Sequence, residues 1–408
     1  MITELRIKNY KSILDETISL GRINVFIGEN GCGKTNILEA VAMLCASKDN
    51  DLSAEGLYNR GVRVTKPSLT FSSFLGQRLN ENIQITLQSL SQESDIIGID
   101  SILSCQNSND IYSAWNDANS AESLFENATF SDQKTPIINV DNPFLAKLLG
   151  IKEEEISDKP EIYSPLFWAA FYSADRNKKS RQHEFIKDFI IFNLSTNALR
   201  GNTTQSKKQP LGIFGEGLDV LLANLDETEK QIIGDEIPIS WMKDYFIDTD
   251  QEYKRQGHKI GRSTSDLYFK DKFMRRNNNV FAAENSNEGA LYVLFYLTLF
   301  ASKKTPNFFA IDNIESALNP KLCRDLMVRI VNTAKQTNKQ ALITTHNPAI
   351  IDGLDLNDDQ QRLFVVKRSD EGFTKVERIQ VKPKVKNQQF KLSELWMRGF
   401  LGGLSSNF

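Results

Sequence analysis

The sequence has few of the residues that build metal sites, disulfide frameworks or membrane spans. Its 408 residues include three histidines and four widely separated cysteines without CxxC spacing, Cys32, Cys45, Cys105 and Cys323. This pattern predicts neither a zinc site nor a set of disulfides. The longest apolar run, 290–300, is shorter than the roughly 18 residues that a transmembrane helix needs, and the N-terminus lacks a signal-peptide pattern. We therefore expect a cytoplasmic protein with no membrane partner.

The chain also lacks an excess of positive charge. Its formal net charge is −3, so the composition as a whole is not that of a nucleic-acid-binding protein. The segment 251–276 is an exception, because three acidic residues there accompany eight basic ones, Lys254, Arg255, Lys259, Arg262, Lys270, Lys272, Arg275 and Arg276. Two interpretations stay open, a solvated surface or a contact with DNA phosphates.

The apolar pattern predicts an α/β fold. Short apolar strands end at Gly28, Asp312 and His346, and helical spacing follows each of the first two. A hairpin with its turn at 370–372 is predicted near the C-terminus, and another buried strand at 165–176. Strands that alternate with helices indicate a sheet that is mostly parallel at its centre.

One segment carries a specific chemical prediction. Gly28 to Thr35 reads GENGCGKT, which matches G-x-x-x-x-G-K-[ST] in full and lies between a predicted strand and a predicted helix. Its glycines let backbone N–H groups surround phosphate oxygens, Lys34 reaches the β and γ phosphates, and Thr35 offers its hydroxyl to Mg²⁺. The predicted ATP-binding residues are Gly28, Asn30, Gly31, Gly33, Lys34, Thr35 and Asn36.

Four further segments resemble the ABC-type ATPases, and specifically the SMC-like branch that includes RecF and the overcoming-lysogenization-defect nucleases. The opening LRIKNYKSI is similar to the first strand of that branch, SNEGALYVLF (286–295) to its signature loop, FFAIDNIESALN to its Walker B strand and D-loop, and ITTHNP to its switch histidine. Within the branch, the chain most resembles the compact ATPases of bacterial anti-phage systems, which have no coiled coil.

The resemblance implies an SMC-like ATPase head, with 1–95 and 281–385 as the expected parts of the ATPase domain. Outside the resemblance, the composition rich in Ser, Asn, Asp and Gln after about residue 90 predicts a largely helical insertion at 96–280, and 386–408 is expected to form a tail helix. The resemblance also implies that Asp312 and Thr35 hold Mg²⁺ and that His346 contacts the γ-phosphate or the attacking water. In an ATP-dependent dimer, the signature loop of the opposite subunit would complete the site through Gly289 with Ser286 or Asn287.

One departure from the family pattern concerns catalysis. Asn313 stands where these ATPases carry a glutamate that acts as general base. An amide can orient water but cannot take its proton, so a contribution of about 10²–10⁴-fold is missing unless another group supplies it. Glu315, or Glu288 from the partner subunit, is a candidate, and we expect slow ATP hydrolysis.

The functional hypothesis is an ATPase that dimerises around ATP and controls a separate nuclease or toxin in anti-phage defence. No nuclease motif is evident, and the D-x-D pair Asp248 and Asp250 is interpreted as a solvated loop. The alternative is a RecF-like repair ATPase whose segment 251–276 grips DNA. The effector and any oligomer larger than a dimer are left open by the sequence.

The C-terminus ends in a short amphipathic pattern. Four apolar residues recur at helical spacing before Gly402 and Gly403, namely Leu392, Leu395, Trp396 and Phe400. The stripe predicts a tail helix that docks either on the ATPase core or in a groove of a partner.

Overall fold

The computed structural model describes residues 1–90, 96–119, 129–130, 136–137, 185–202, 210–261, 263–380 and 390–403. The predicted strand at 165–176 lies outside these residues. The strands are β1 (Ile2–Tyr10), β2 (Ile13–Ser19), β3 (Ile23–Ile27), β4 (Ile83–Leu90), β5 (Ile96–Cys105), β6 (Trp115–Asp117), β7 (Thr129–Phe130), β8 (Pro136–Ile137), β9 (Ile191–Phe192), β10 (Met242–Ile247), β11 (Leu267–Asp271), β12 (Val280–Ala282), β13 (Phe308–Ile311), β14 (Gln340–Thr344), β15 (Gln361–Arg368) and β16 (Thr374–Ile379).

The α-helices are mostly short, apart from three long ones that flank the candidate site. They are α1 (Lys34–Lys48), α2 (Ala54–Asn59), α3 (Thr196–Leu199), α4 (Leu218–Ala223), α5 (Glu227–Glu236), α6 (Glu252–Arg255), α7 (Glu288–Ala301), α8 (Pro320–Thr337), α9 (Pro348–Ile351) and α10 (Leu392–Met397). None of the helices in the described part of the chain is both long and apolar enough to cross a membrane. Cys32, Cys45, Cys105 and Cys323 are free thiols.

A six-stranded sheet forms the centre of the molecule, with the order β16-β15-β3-β14-β13-β9. Its inner pairs are parallel, and only β16 runs antiparallel to its neighbour β15. The predicted α/β fold with a parallel centre is therefore confirmed. The predicted strands ending at Gly28, Asp312 and His346 are β3, β13 and β14, which lie side by side in this sheet.

Alternation along these strands separates two hydrophobic cores. Val25 and Ile27 of β3 face one core with α7 and α8, whereas Phe26 faces the other with α1. Because side chains of a strand point alternately to opposite faces, a run that is apolar at every position is covered on both faces. This is why these strands read as continuous apolar segments.

A five-stranded antiparallel sheet, β2-β1-β4-β5-β6, shares the second core with α1. In this sheet β1 pairs with β2 on one side and with β4 on the other. The β4–β5 hairpin also spans the expected boundary at 95/96. β5 thus extends, on the far side of that boundary, the sheet that β1 and β4 begin.

A third sheet, β10-β11-β12, lies within the region expected to be mainly helical. The described residues of 96–280 contain strands as well as helices. Leu267, Tyr268 and Phe269 are all buried here. Neighbouring Ser, Asn and charged residues obscure this short apolar run in the sequence.

The tail helix α10 ends earlier than predicted. It ends at Met397, because Gly399 adopts a left-handed conformation with φ of 79°. Trp396 is 3% exposed within the first core, and the backbone N–H of Ser393 donates to Asp352 at 2.9 Å. Phe400, the last residue of the predicted stripe, is 71% exposed. The tail thus docks on the ATPase core through Trp396 and leaves part of its apolar surface outside.

Candidate nucleotide-binding site

Three neighbouring parallel strands place the candidate site. The loop after β3 carries the GENGCGKT motif, Asp312 follows β13, and Thr344 ends β14 just before His346. Because β14 pairs with β3 and β13 in parallel register, these segments meet at the carboxyl edge of the sheet. Ligands of open α/β sheets bind at this edge.

The phosphate loop has a backbone that requires glycine at two positions. Gly28 has φ of 148° and Gly33 has φ of 112°. A β-carbon on Gly28 would collide with the carbonyl oxygen of Val366, and one on Gly33 would collide with the hydroxyl of Thr374. The loop is therefore held close to the β15–β16 hairpin, where any larger residue would displace it.

Hydrogen bonds from that hairpin fix the loop further. The Thr374 hydroxyl donates to the carbonyl oxygen of Cys32 at 2.8 Å, and Arg368 Nε donates to that of Gly31 at 3.0 Å. Asn30 is exposed at the tip of the loop. These hairpin contacts were not predicted, because nothing local in the sequence relates residues more than 330 positions apart.

Lys34 closes the phosphate loop on itself. Its Nζ donates to the carbonyl oxygens of Gly28 and Glu29, each at 2.8 Å. Burial lowers the pKa of Lys34, and the negative charges of Asp312 and Glu315 oppose that shift together with Cys32. The ammonium group is thus positioned among acceptors that the oxygens of a phosphate group can replace.

Asp312 forms the other half of the candidate magnesium site. Its carboxylate accepts the Thr35 hydroxyl at 3.1 and 3.3 Å, and it also accepts the Thr344 hydroxyl. Asp312 is 9% exposed and forms no ion pair with a described residue. A buried carboxylate with only neutral donors favours a cation beside it.

The donor set fits Mg²⁺ better than a metal held by protein alone. No group of three or more His, Cys, Asp or Glu in the described ranges is arranged to hold a metal ion. Magnesium commonly keeps several waters and binds through one or two carboxylates together with substrate phosphates. One hydroxyl and one carboxylate beside a phosphate loop match that mode of binding.

Asn313 and Glu315 are placed differently relative to this site. Asn313 has a left-handed backbone with φ of 55°, and its N–H donates to the Thr344 hydroxyl at 2.9 Å. Asparagine tolerates that conformation better than most residues. Glu315 accepts the backbone N–H of His346 through Oε1 at 2.8 Å, while its Oε2 is buried and has no partner. An unpartnered carboxylate oxygen can accept a proton or orient a water.

His346 is exposed at the edge of the site. Partial burial of its ring and the positive charge of Lys34 lower its pKa, while Glu315 and Asp312 act in the opposite direction. A neutral imidazole offers one donor and one acceptor nitrogen at physiological pH. The fold therefore brings four charged or titratable side chains close enough to affect one another: Lys34, Asp312, Glu315 and His346. Their order in the sequence does not by itself require this proximity.

The predicted signature residues lie at the start of α7. Asn287 is the N-cap position and is exposed, whereas Ser286 is buried and donates to the carbonyl oxygen of Ala283 at 3.0 Å. A β-carbon on Gly289 would lie 3.1 Å from Asn287 Oδ1 and 3.3 Å from the carbonyl oxygen of Ala317. The signature loop thus packs against the D-loop of its own chain, and its contact with a second subunit stays a prediction.

A charged cluster beside the phosphate loop was missed by the sequence reasoning. Glu39 of α1 is fully buried and pairs with Lys11 at 2.6 Å and with Arg63 at 2.7 Å. Arg63 also donates to the side-chain oxygen of Asn36, whose amide donates to Ser12. These residues lie in three separate segments without a common pattern, so the sequence carries no local signal for them.

The basic segment 251–276 does not form one surface. Lys254 and Arg255 lie in α6, in the β10–β11 connection, whereas Lys272 to Arg276 lie in the β11–β12 turn at the opposite end of the small sheet. Lys259 is 4% exposed and donates to the carbonyl oxygen of Ser265. Arg262 lies outside the described residues. The two basic groups are close in sequence but lie at opposite ends of the sheet, because β11 runs from one end of the sheet to the other between them.

The D-x-D segment is likewise not a solvated loop throughout. Asp248 is 7% exposed, and its carboxylate accepts the backbone N–H groups of Glu252 and Tyr253 at 3.0 and 2.9 Å. It therefore stabilises the start of α6, while Asp250 is exposed.

Comparisons with known proteins agree with this geometry. Over 53 residues, the chain is 42% identical to the DNA replication and repair protein RecF of Bacillus cytotoxicus, a match that covers 13% of this chain and 14% of that protein. A structure of an SMC head bound to the C-winged helix domain of ScpA superposes with a TM-score of 0.53 and 14% identity, over 93% of this chain and 98% of that one. An SMC head domain from Thermotoga maritima has a TM-score of 0.48 and 11% identity, with coverages of 93% and 99%.

The likeness to the first SMC head shows the fold, and the short RecF match spans a small part of the curated relative. A model of the AAA_15 family, described as an AAA ATPase domain, matches residues 1–351, which include the phosphate loop, Asp312 and His346. The chain therefore belongs to the AAA_15 family of ATPase domains and has the fold of an SMC-like head.

Proposed function

We propose that the chain binds Mg-ATP at the carboxyl edge of its central sheet and hydrolyses it slowly. Lys34 and the loop N–H groups hold the β and γ phosphates, while Thr35 and Asp312 hold Mg²⁺. The observation that supports this most is the Thr35–Asp312 hydrogen bond, which joins the phosphate loop to a buried carboxylate that has no cationic partner among the described residues.

Glu315 is the proposed general base in place of the usual glutamate. Its Oε2 is buried without a partner, and its other oxygen is anchored on the backbone of His346. Asn313 orients the loop rather than accepting a proton, since its N–H is bonded to Thr344 and its side chain is an amide. His346, neutral at physiological pH, contacts the γ-phosphate or the attacking water.

Two copies would close around ATP, with the signature loop of each completing the site of the other. Exposure of Asn287 and Glu288 at the N-terminus of α7 supports this arrangement, because unpaired backbone N–H groups there attract a phosphate. The closed dimer would signal nucleotide state to a separate nuclease or toxin in anti-phage defence. The candidate contact for that nuclease or toxin is the group of exposed side chains around α10, Phe390, Met397 and Phe400.

The second candidate function is a RecF-like ATPase that acts on DNA. It draws support from the short match to RecF and from the exposed cations of the β11–β12 turn.

ATP-dependent dimerisation tests the principal proposal. Lys34→Ala removes the cation that neutralises the phosphates, so we expect ATP affinity to fall at least about tenfold, or ~1.4 kcal/mol, by calorimetry. Gly289→Asp places a carboxylate where a phosphate must approach, so it should bind ATP as a monomer but no longer dimerise in light scattering. Unchanged affinity in the first variant would contradict the phosphate-loop assignment, and an unchanged dimer in the second would remove Gly289 from the shared site.

A further inference from the structure

The β11–β12 turn combines exposed apolar side chains with unpaired positive charges. Phe273 is 76% exposed and Met274 is 51% exposed at its apex. Lys272 precedes them, and Arg275 and Arg276 follow them. None of these three cations forms an ion pair with any carboxylate in the described part of the chain. Such a surface lacks the partners that would make it an ordinary solvated loop or part of the core.

The turn has a defined backbone that projects these side chains. The N–H of Phe273 donates to Asp271 Oδ1 at 2.7 Å, and the N–H of Asp271 donates to the carbonyl oxygen of Asn279 at 2.8 Å. Lys272 donates through its N–H to the carbonyl oxygen of Trp241 at 3.0 Å, which ties the turn to β10. The apolar pair is therefore held at the tip of a small sheet by hydrogen bonds at its base.

The Lys272 ammonium group lies 5.1 Å from the centre of the Phe273 ring. Asp271, which precedes Lys272, uses one carboxylate oxygen to hold the turn rather than to neutralise a cation. The apex thus presents two adjacent apolar side chains with a positive charge before them and two after them.

We propose that the Lys272–Arg276 turn is a wedge for duplex DNA, in which the cations contact backbone phosphates and Phe273 with Met274 enters a base step. Proteins that bend DNA commonly insert Phe or Met between base pairs while arginine and lysine contact the groove and the phosphates. Arginine forms bidentate bonds to phosphate, and exposed side-chain amides of Asn277 and Asn278 add hydrogen-bonding groups beside it. This inference rests on the second candidate function, an ATPase that acts on DNA, and names the surface that would contact the duplex; it does not depend on nucleotide binding.

Anisotropy with a labelled mixed-sequence duplex of about 30 base pairs tests the wedge in the full-length chain. We expect Arg275→Gln with Arg276→Gln to weaken binding about tenfold or more and to reduce the slope of log affinity against log salt by about 2, since each lost phosphate contact contributes about 0.9. The matched control, Lys254→Gln with Arg255→Gln, removes the same charge at the other end of the sheet and should change affinity less than about twofold.

A second measurement examines insertion itself. Fluorescence transfer between labels at the two duplex ends should rise when the wild-type chain bends the DNA. Phe273→Ala with Met274→Ala should abolish that rise while retaining part of the affinity, because the cations remain. Circular dichroism of each variant checks folding.

Several outcomes would overturn the proposal. These are absence of duplex binding by the wild-type chain, equal losses in the control pair, or an unchanged bend in the apolar variant. Binding of phosphatidylserine vesicles that depends on Phe273 and Met274, without duplex binding, would assign the turn to a membrane surface instead. Measurements without nucleotide, repeated with Lys34→Ala, separate this result from any failure of the ATPase proposal.

Discussion

At the scale of single residues, the proposed site gives two roles to two different side chains. Asn313 fills the backbone position after Asp312, and Glu315 is proposed as the general base. Asn313 occupies a left-handed backbone position after Asp312, and Glu315 supplies the carboxylate two residues later. A glutamate at 313 would have to adopt the same left-handed conformation, at a cost of roughly 1–2 kcal/mol. The local backbone therefore favours asparagine at this position, and Glu315 is the proposed general base.

We expect Glu315→Gln to slow single-turnover ATP hydrolysis by about a hundredfold or more, because an amide cannot accept the proton of the attacking water. The glutamine oxygen can still accept the backbone N–H of His346, so the loop should stay in place. Rapid-quench measurement with bound ATP gives the rate, and Glu288→Gln serves as the control. An unaffected rate for Glu315→Gln, with a loss for Glu288→Gln, would move the base to the partner subunit.

At the scale of elements, a buried lysine connects the turn between α8 and β14 to the segment before β13. Lys339, in the turn between α8 and β14, is 1% exposed. Its Nζ donates to the carbonyl oxygens of Thr305 and Pro306 at 3.0 and 3.2 Å. Burial lowers the pKa of Lys339 to about 7. The amine thus anchors the segment before β13 without a carboxylate at ion-pair distance among the described residues.

This lysine predicts a pH dependence of stability. Its folded-state pKa of about 7 lies below the unfolded value of about 10.4, so the unfolded chain binds more protons between these values and stability from this group rises with pH across that window. The free energy of unfolding of the wild type relative to Lys339→Met should therefore increase by about 1–3 kcal/mol between roughly pH 7.5 and 9.5. Urea unfolding at several pH values measures it.

Lys304→Met is the matched control for that experiment, since Lys304 is exposed on the connection between α7 and β13 that Lys339 contacts. Its stability should follow the wild type at every pH. Parallel curves for the wild type and Lys339→Met would contradict the shifted pKa.

The elements that were predictable from sequence are those whose pattern is local. The GENGCGKT loop, the apolar strands β3, β13 and β14, and the helical spacing of α1 each carry their signal within some twenty residues. The position of β1 between β2 and β4, the Glu39 cluster and the Thr344–Asp312 bond depend on contacts between distant segments. A single sequence does not record such pairings, because a buried threonine or glutamate has the same local context with or without its partner.

At the scale of the whole molecule, the C-terminal tail is part of the core on one side only. Trp396 is buried among residues of the first core, while Met397 and Phe400 are 65% and 71% exposed. Docking on the core thus applies to Trp396, and docking on a partner remains a proposal for the exposed side of the same tail. Core packing accounts for Trp396, and the exposed face stays available for the proposed effector.

Two alanine substitutions separate these faces. Trp396→Ala removes a buried aromatic side chain. We therefore expect the free energy of unfolding to fall by about 3–5 kcal/mol and the melting temperature to fall by several degrees. Phe400→Ala should leave the melting temperature unchanged, because its ring is mostly exposed. Differential scanning calorimetry gives both values, and equal melting temperatures for the two variants would show that the tail does not contribute to the folded core.

After α10 the tail runs back toward the phosphate loop, where a β-carbon built on Gly403 would lie 3.4 Å from the Cα of Gly28. Gly403 therefore lies beside the first glycine of the phosphate-loop motif. If a protein that binds α10 moves this segment away from Gly28, the affinity of the chain for ATP changes by some factor. Thermodynamic linkage then requires ATP to change the affinity of the chain for that protein by the same factor. Reciprocity of this kind would let a short terminal peptide report the nucleotide state of the whole molecule, in either direction, without a separate signalling domain.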